Sequence, residues 1–250
     1  MITLVTGATS GIGEATAKAF AGLGHNLIVT GRRNDRLQKL KKELEALNVE
    51  VLTLNFDVRN RKEVETTLKS LPDKWQEVDI LVNNAGLAAG KEPIMNGNPD
   101  DWEQMIDTNI KGLLYVSRTV LPLMCARRKG HIINICSIAG KEVYAEGGVY
   151  CASKAAVDFL SKSMRIDALP YGIKITNVCP GAVETEFSMV RFKGDTQKAA
   201  ATYKGFKPLT AKDVAQTIIY CSTLPPHVNI NDLVLMPTAQ ANATTFFRSE

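Results

Sequence analysis

Residues 2–13 constrain the fold more than any other stretch of this chain. Ile2-Thr3-Leu4-Val5-Thr6 is apolar and β-branched and is cut off by Gly7, which reads as a short buried strand. Gly7-Ala8-Thr9-Ser10-Gly11-Ile12-Gly13 follows, then Ala15, Ala17, Ala19, Phe20 and Leu23 at helical spacing. A strand, a glycine turn and a helix in that order build a dinucleotide site. The glycines let the backbone approach a pyrophosphate, and the helix start offers free N–H groups and a positive dipole end. The spacing is Gly-x-x-x-Gly-x-Gly rather than Gly-x-Gly-x-x-Gly. A tight strand-to-helix turn without a ligand is the plainer alternative.

The rest of the chain repeats this alternation. Strand-like runs lie at 2–6, 26–30, 50–55, 79–82, 131–136, 173–178 and 232–236, and helical patterns near 11–23, 34–47, 60–70, 100–127, 149–169 and 211–222. Such alternation predicts an α/β fold with a parallel sheet covered on both faces. Right-handed crossovers make it a doubly wound, Rossmann-type sheet of about seven strands, with its ligand at the carboxyl ends of the strands. With no repeat and no low-complexity linker, residues 1–250 read as a single domain. Residues 184–208 are polar and lack a clear period, so they read as a long loop of the kind that serves as a lid or substrate loop.

Composition narrows the partners. The formal charge is +4 with the basic residues scattered, which argues against nucleic acid as the main partner. No run approaches the roughly 20 apolar residues of a membrane span, and the chain starts directly in a strand, leaving no room for a signal peptide. Cys125, Cys136, Cys151, Cys179 and Cys221 are odd in number and form no C-x-x-C pair, as expected of free thiols in a reducing cytoplasm. His25, His131 and His227 have no metal-ligand spacing, so no metal is implied.

The chemistry concentrates in Tyr150-Cys151-Ala152-Ser153-Lys154, with Ser137 thirteen residues upstream. On a helix Tyr150 and Lys154 share a face. An ammonium near a phenol favours the phenolate and is expected to lower the Tyr150 pKa from about 10 toward neutrality, fitting it for acid–base work. Ser137, closing the run Ile132-Ile133-Asn134-Ile135, could hold the reacting oxygen. Cys136 and Cys151 flank this pair but read as small buried hydrophobes. After the second strand come Thr30-Gly31-Arg32-Arg33 and no acid. An acid there would bond the ribose hydroxyl of NAD, whereas Arg accommodates the 2′-phosphate of NADP. Basic charge is disfavoured near a helix start, so an anionic ligand would account for it.

Thr6-Gly7 through Gly13, Asn83-Asn84-Ala85-Gly86, Asn109, Ser137, Tyr150, Lys154 and Pro180-Gly181 resemble the short-chain dehydrogenase/reductase family in order and spacing, over nearly the whole chain. Longer stretches, among them 79–88, 101–103, 190–195 and 227–231, look closer still to its NADP-dependent 3-hydroxy acid dehydrogenases, which include serine and allo-threonine dehydrogenases. The resemblance implies hydride transfer with Ser137, Tyr150, Lys154 and Asn109 as the catalytic set. It implies cofactor contacts from Gly7, Ala8, Thr9, Ser10, Gly11, Ile12, Asp57, Val58, Asn84, Ala85, Gly86, Tyr150, Lys154, Pro180, Gly181, Val183 and Thr185, with Arg32 and Arg33 choosing NADP. Asn109 would organise the lysine and a water path. The substrate would be a small hydroxy acid held by Ser137 and Tyr150. Arg191 would anchor its carboxylate, with Lys193 as the other candidate. A cytoplasmic homotetramer is the assembly implied. A 3-oxoacyl carrier-protein reductase, docking an acidic carrier on Arg127-Arg128-Lys129, and a non-enzymatic NADP(H)-binding redox sensor stay open as alternatives.

Overall fold

The structure, a computed structural model, describes residues 1–249. Seven strands, β1 (Ile2–Val5), β2 (Asn26–Gly31), β3 (Val51–Asn55), β4 (Val78–Asn83), β5 (His131–Ile135), β6 (Lys174–Pro180) and β9 (Asp232–Leu235), form one sheet. Their order is β3-β2-β1-β4-β5-β6-β9, every neighbouring pair parallel. Two-residue strands β7 (Val183–Glu184) and β8 (Leu209–Thr210) pair with each other apart from it.

The strand sequences explain the two layers of helix. Successive side chains of a strand point to opposite faces. Leu81 and Ile132 face one core while their neighbours Ile80, Val82 and Ile133 face the other. The first core is closed by α3 (Arg61–Lys69), α5 (Leu113–Arg127) and α6 (Gly148–Ala168), through Val64, Val116, Val120 and Val157. The second is closed by α1 (Gly11–Gly22), α2 (Asn34–Glu45) and α9 (Ala211–Thr223), through Phe20, Leu37, Val214 and Ile218. Apolar strands buried on both faces are what a doubly wound parallel sheet requires. Strand order reverses between β1 and β4, so the crevice opens beyond their carboxyl ends. Among the described residues no helix is long and apolar enough to cross a membrane.

One sequence expectation gains a detail and one is corrected. The helical pattern over 100–127 is met by a continuous run of α4 (Pro99–Ile106), a π-helical turn at Asp107–Gly112, and α5. The wider turn lets Asn109 face inward and bond to Leu87 and Ser153. Residues 184–208 are not an unstructured loop. They hold α7 (Phe187–Arg191) and α8 (Thr196–Ala201), bracketed by the β7–β8 pair. Asp195 caps α8 by accepting from the Lys198 N–H, and Gly194 breaks α7 from α8 at φ +92°. Helices of five and six residues are too short to show a hydrophobic period.

Candidate active site

The glycine turn is shaped by backbone contacts that leave no room for side chains. Gly7 sits at φ +65°, and a Cβ on Gly13 would come within 2.5 Å of the Gly7 carbonyl oxygen. The Asn84 side chain crosses from the end of β4 and donates to the carbonyls of Thr6 (2.9 Å) and Gly7 (3.1 Å). Thr6 Oγ1 accepts from the Asn84 and Ala85 N–H groups, both at 3.0 Å. The first and fourth strand ends are thus locked edge to edge. Ser10 occupies the N-cap of α1 in extended backbone, but its hydroxyl makes no cap bond. It accepts instead from Arg33.

A cleft runs from this turn across the strand ends to Tyr150. Its lining includes Gly7, Thr9, Ser10, Gly11, Ile12, Arg32, Arg33, Asp57, Val58, Asn84, Ala85, Gly86, Ser137, Tyr150, Lys154, Pro180, Gly181, Val183 and Thr185. Every residue expected to meet the cofactor therefore lies on it except Ala8, which is fully buried beneath the turn with its N–H on the Thr30 carbonyl at 2.9 Å. Asn109 stands one layer behind. A Cβ at Gly86 would meet Asn109 Oδ1 at 3.2 Å and Lys154 Nζ at 3.3 Å, so bare backbone at this point keeps the floor open. The cradle of glycines, the open helix start and two guanidiniums at one end suit a phosphorylated dinucleotide.

α6 positions Tyr150 and Lys154. Tyr150, Lys154, Val157, Ser161, Met164 and Ala168 are all buried, a stripe at helical spacing whose first two members are polar. Lys154 Nζ donates to the Ile135 carbonyl at 2.9 Å. Asn109 is fully engaged: Oδ1 accepts from the Leu87 N–H (2.9 Å), and Nδ2 donates to the Leu87 carbonyl (2.8 Å) and Ser153 Oγ (2.9 Å). Ser153 donates onward to the Tyr150 carbonyl at 2.8 Å. Ser137 Oγ caps a short turn by accepting from Ala139 N–H at 3.1 Å.

The electrostatics differ from the sequence expectation. Burial pushes the Tyr150 phenol above its ordinary value, and Tyr144 adds to this; Ser137 and Arg191 pull it down. Burial likewise holds the Lys154 ammonium below the usual lysine range. Lys154 donates a hydrogen bond to the Ile135 carbonyl, and the cation over the Tyr150 ring is Arg191, at 5.7 Å from its centroid.

Arg191 comes from α7. Its Nη1 donates to Tyr144 Oη at 2.9 Å, and its guanidinium lies over both the Tyr144 and Tyr150 rings. It lines a second, broader cavity that shares Ser137, Tyr150, Gly181 and Val183 with the cleft. Lys193 is committed elsewhere, 2.8 Å from Asp101. At the far end Arg33 Nη2 donates to Ser10 Oγ (2.8 Å) and Thr9 Oγ1 (3.0 Å), while Nη1 meets Glu186 at 3.0 Å. Arg32 is more exposed, with only a 3.8 Å approach to Asp57. Among the described residues no group of three His, Cys, Asp or Glu could hold a metal.

A profile for the short chain dehydrogenases matches residues 1–196. The chain belongs to this family. The NADP-dependent 3-hydroxy acid dehydrogenase YdfG of Salmonella typhi is 51% identical over 97% of both chains. Sulfoacetaldehyde reductase 2 of Chromohalobacter salexigens is 46% identical, over 96% of this chain and 95% of its own. The closed form of serine dehydrogenase complexed with NADP+ superposes with a TM-score of 0.94 at 50% identity, covering 100% of each chain. Within this dehydrogenase, sequence reasoning missed Glu186 and Tyr144. Tyr144 carried a weak signal, an aromatic six residues before Tyr150. Glu186 carried none, since its Arg33 and Arg36 partners lie some 150 positions away.

Proposed function

We propose that this dehydrogenase oxidises short 3-hydroxy acids with NADP, of the serine, allo-threonine or 3-hydroxypropionate type, and reduces the matching ketones or aldehydes. The observation that carries the reading is that Arg191 lines the same cavity as Ser137 and Tyr150, its guanidinium 5.7 Å from the Tyr150 ring centroid. A cation beside the acid–base pair suits a substrate that carries a carboxylate as well as a hydroxyl. Similarity to YdfG and to serine dehydrogenase supports the same substrate class.

NADP, when bound, accepts the hydride and, in its reduced form, returns it. The glycine turn, Asp57, Val58, Asn84 to Gly86, Pro180, Gly181, Val183 and Thr185 would hold it, with Lys154 at the ribose and Arg32 and Arg33 at the 2′-phosphate. Tyr150 takes the proton of the substrate hydroxyl during oxidation and gives it back to the carbonyl oxygen during reduction. Ser137 holds that oxygen and steadies the phenolate, while the nearby Arg191 offsets part of the cost of burying it. Asn109 pins Leu87 and, through Ser153, the start of α6, and so aligns the parts.

The chain works as one catalytic unit in which 184–208 is the substrate segment. The family resemblance supports a cytoplasmic homotetramer. The carrier-protein alternative is the less favoured reading, because part of its basic patch is already engaged: Arg127 and Lys129 pair with Asp79, and Arg128 donates to the Pro170 carbonyl at 2.8 Å. Initial rates with a hydroxy-acid panel, a carrier-linked ketone and both nicotinamide cofactors test the reading. Arg191→Ala should raise KM for hydroxy acids by about tenfold or more, as expected for a lost charge-assisted bond. It should affect a neutral alcohol of similar size far less. Equal losses for acid and alcohol would reject Arg191 as the anchor.

A further inference from the structure

The turn that presents Ser137 is tied to the rest of the site by a largely buried cation. Residues 137–142 bond among themselves. The Gly140 N–H donates to the Ser137 carbonyl at 2.9 Å, and the Lys141 and Glu142 N–H groups donate to the Ile138 carbonyl at 2.9 and 3.0 Å. Ser137 caps this unit at one end and Lys141 at the other. The turn lies close on α6, where a Cβ at Gly140 would stand 2.7 Å from the Lys154 carbonyl oxygen. From the far end of the turn the Lys141 ammonium reaches two carboxylates, Asp158 Oδ1 at 2.6 Å and Asp232 Oδ2 at 2.7 Å. Asp158 stands on α6, one turn past Lys154 and two past Tyr150, and Asp232 opens β9. Asn177 Nδ2 donates to both carboxylates, at 3.1 and 2.9 Å, and Lys162 meets the other oxygen of Asp158 at 2.8 Å. Burial draws the Lys141 ammonium down, but Asp158 and then Asp232 more than offset it and hold it above the usual lysine range.

We propose that Lys141 is a positioning residue for the reaction: by clamping the far end of the Ser137 turn to the helix that carries Tyr150, it sets where the Ser137 hydroxyl stands relative to the phenol. The inference rests on the reading of Ser137 as the group that holds the reacting oxygen. Ser137 follows β5 and Tyr150 belongs to α6, so neither element alone fixes their spacing. Both hydroxyls have to meet one substrate oxygen, and a misplacement of roughly 1 Å can cost about 10²-fold in rate. Ser137 Oγ accepts from the Ala139 N–H within the turn, so it moves with the turn. The clamp is built to hold. The charges of Lys141, Lys162, Asp158 and Asp232 cancel, and Asn177 holds both carboxylates. The Asp158 side chain is only 6% exposed and that of Lys141 20%, so solvent screens this pair far less than it screens the ion pairs at the rim. A neutral residue at 141 would leave two carboxylates side by side on Asn177 with their repulsion unopposed. Lys141 lines neither the cleft nor the broader cavity, and it acts on the reaction through Ser137.

The test is a double-mutant cycle between Lys141 and Ser137 on the full chain. Rates are read with NADP and whichever of serine, allo-threonine and 3-hydroxypropionate turns over fastest. Ser137→Ala should lower kcat by about 10²-fold. Lys141→Met should lower kcat by about tenfold or more and move the KM for NADP by less than about twofold. In the Ser137→Ala background Lys141→Met should cost less than about twofold, because the hydroxyl it positions is already gone. Lys141→Met also strands two carboxylates and should lower the melting temperature. The double variant Lys141→Met/Asp232→Asn removes one of them, so the melting temperature should recover while kcat stays low. Equal losses from Lys141→Met in both backgrounds overturn the proposal. So does an unchanged kcat in Lys141→Met, or a kcat that recovers together with the melting temperature. If Ser137→Ala turns over like wild type, the reading of Ser137 fails first and takes this one with it.

Discussion

The floor and the rim of the cleft are held by different physics. On the floor, Asn109, Ser153 and Lys154 are buried, and their polar atoms bond to backbone groups or to each other. At the rim, Arg33, Arg36 and Glu186 meet through exposed charge. Unpairing a buried polar group is costly, whereas an exposed ion pair is worth little. The floor therefore keeps one geometry, and the rim can trade partners with a charged ligand. The proposed acid–base centre needs the first property, and a site that admits and releases a cofactor needs the second.

The largest expected effect falls on the floor. Tyr150→Phe removes the proposed proton-transfer group and keeps the ring, so turnover should fall by about 10²-fold or more while NADPH binding, read by fluorescence titration, persists. Near-normal turnover would take Tyr150 out of the mechanism and remove the chemical meaning of the contrast. Next comes Asn109→Ala, which orphans the Leu87 N–H and carbonyl. Each buried group left unpaired costs about 1–3 kcal/mol, so the denaturation midpoint should drop clearly with no change in unfolding cooperativity. An unmoved midpoint would mean that the floor is no firmer than the rim.

At the rim, replacing Arg32 and Arg33 together with Ala should lower the NADP-over-NAD preference in kcat/KM by about tenfold, the loss of charge-assisted phosphate bonds. Stability should stay near wild type. A parallel loss for both cofactors would make the Arg pair structural. Smallest of all is Lys193→Ala, which removes an exposed ammonium from the largely buried Asp101 carboxylate. KM for hydroxy acids should move by less than about twofold; a steep rise would return Lys193 as the carboxylate anchor.

The same contrast explains what could be read from the sequence. Periodicity announces buried groups, so all seven strands and the main helices were legible to within a few residues. Tyr150 and Lys154 were legible for the same reason, since four residues is one helical turn. The direction of the Tyr150 shift was not legible. A sequence shows the nearby lysine but not the burial of the phenol, which outweighs the pull of Ser137 and Arg191. The rim resisted for another reason. Arg33 was visible beside its strand, but which acid it meets depends on how β7 and α7 return over the cleft. Helices as short as α7 and α8 leave no period to find.

The π-helical turn at Asp107–Gly112 works as a phase shifter. A regular helix repeats every 3.6 residues, so inward positions spaced by four, such as Met105, Asn109 and Leu113, steadily run ahead of it. One wide turn takes up the excess. Shortening it by a single residue would heal the hydrogen-bond ladder yet rotate everything before it by about 100° relative to everything after. Either α4 would keep its packing or Asn109 would keep Leu87, and one would be lost. A change that makes the helix more ideal would put the active site out of step with its own support.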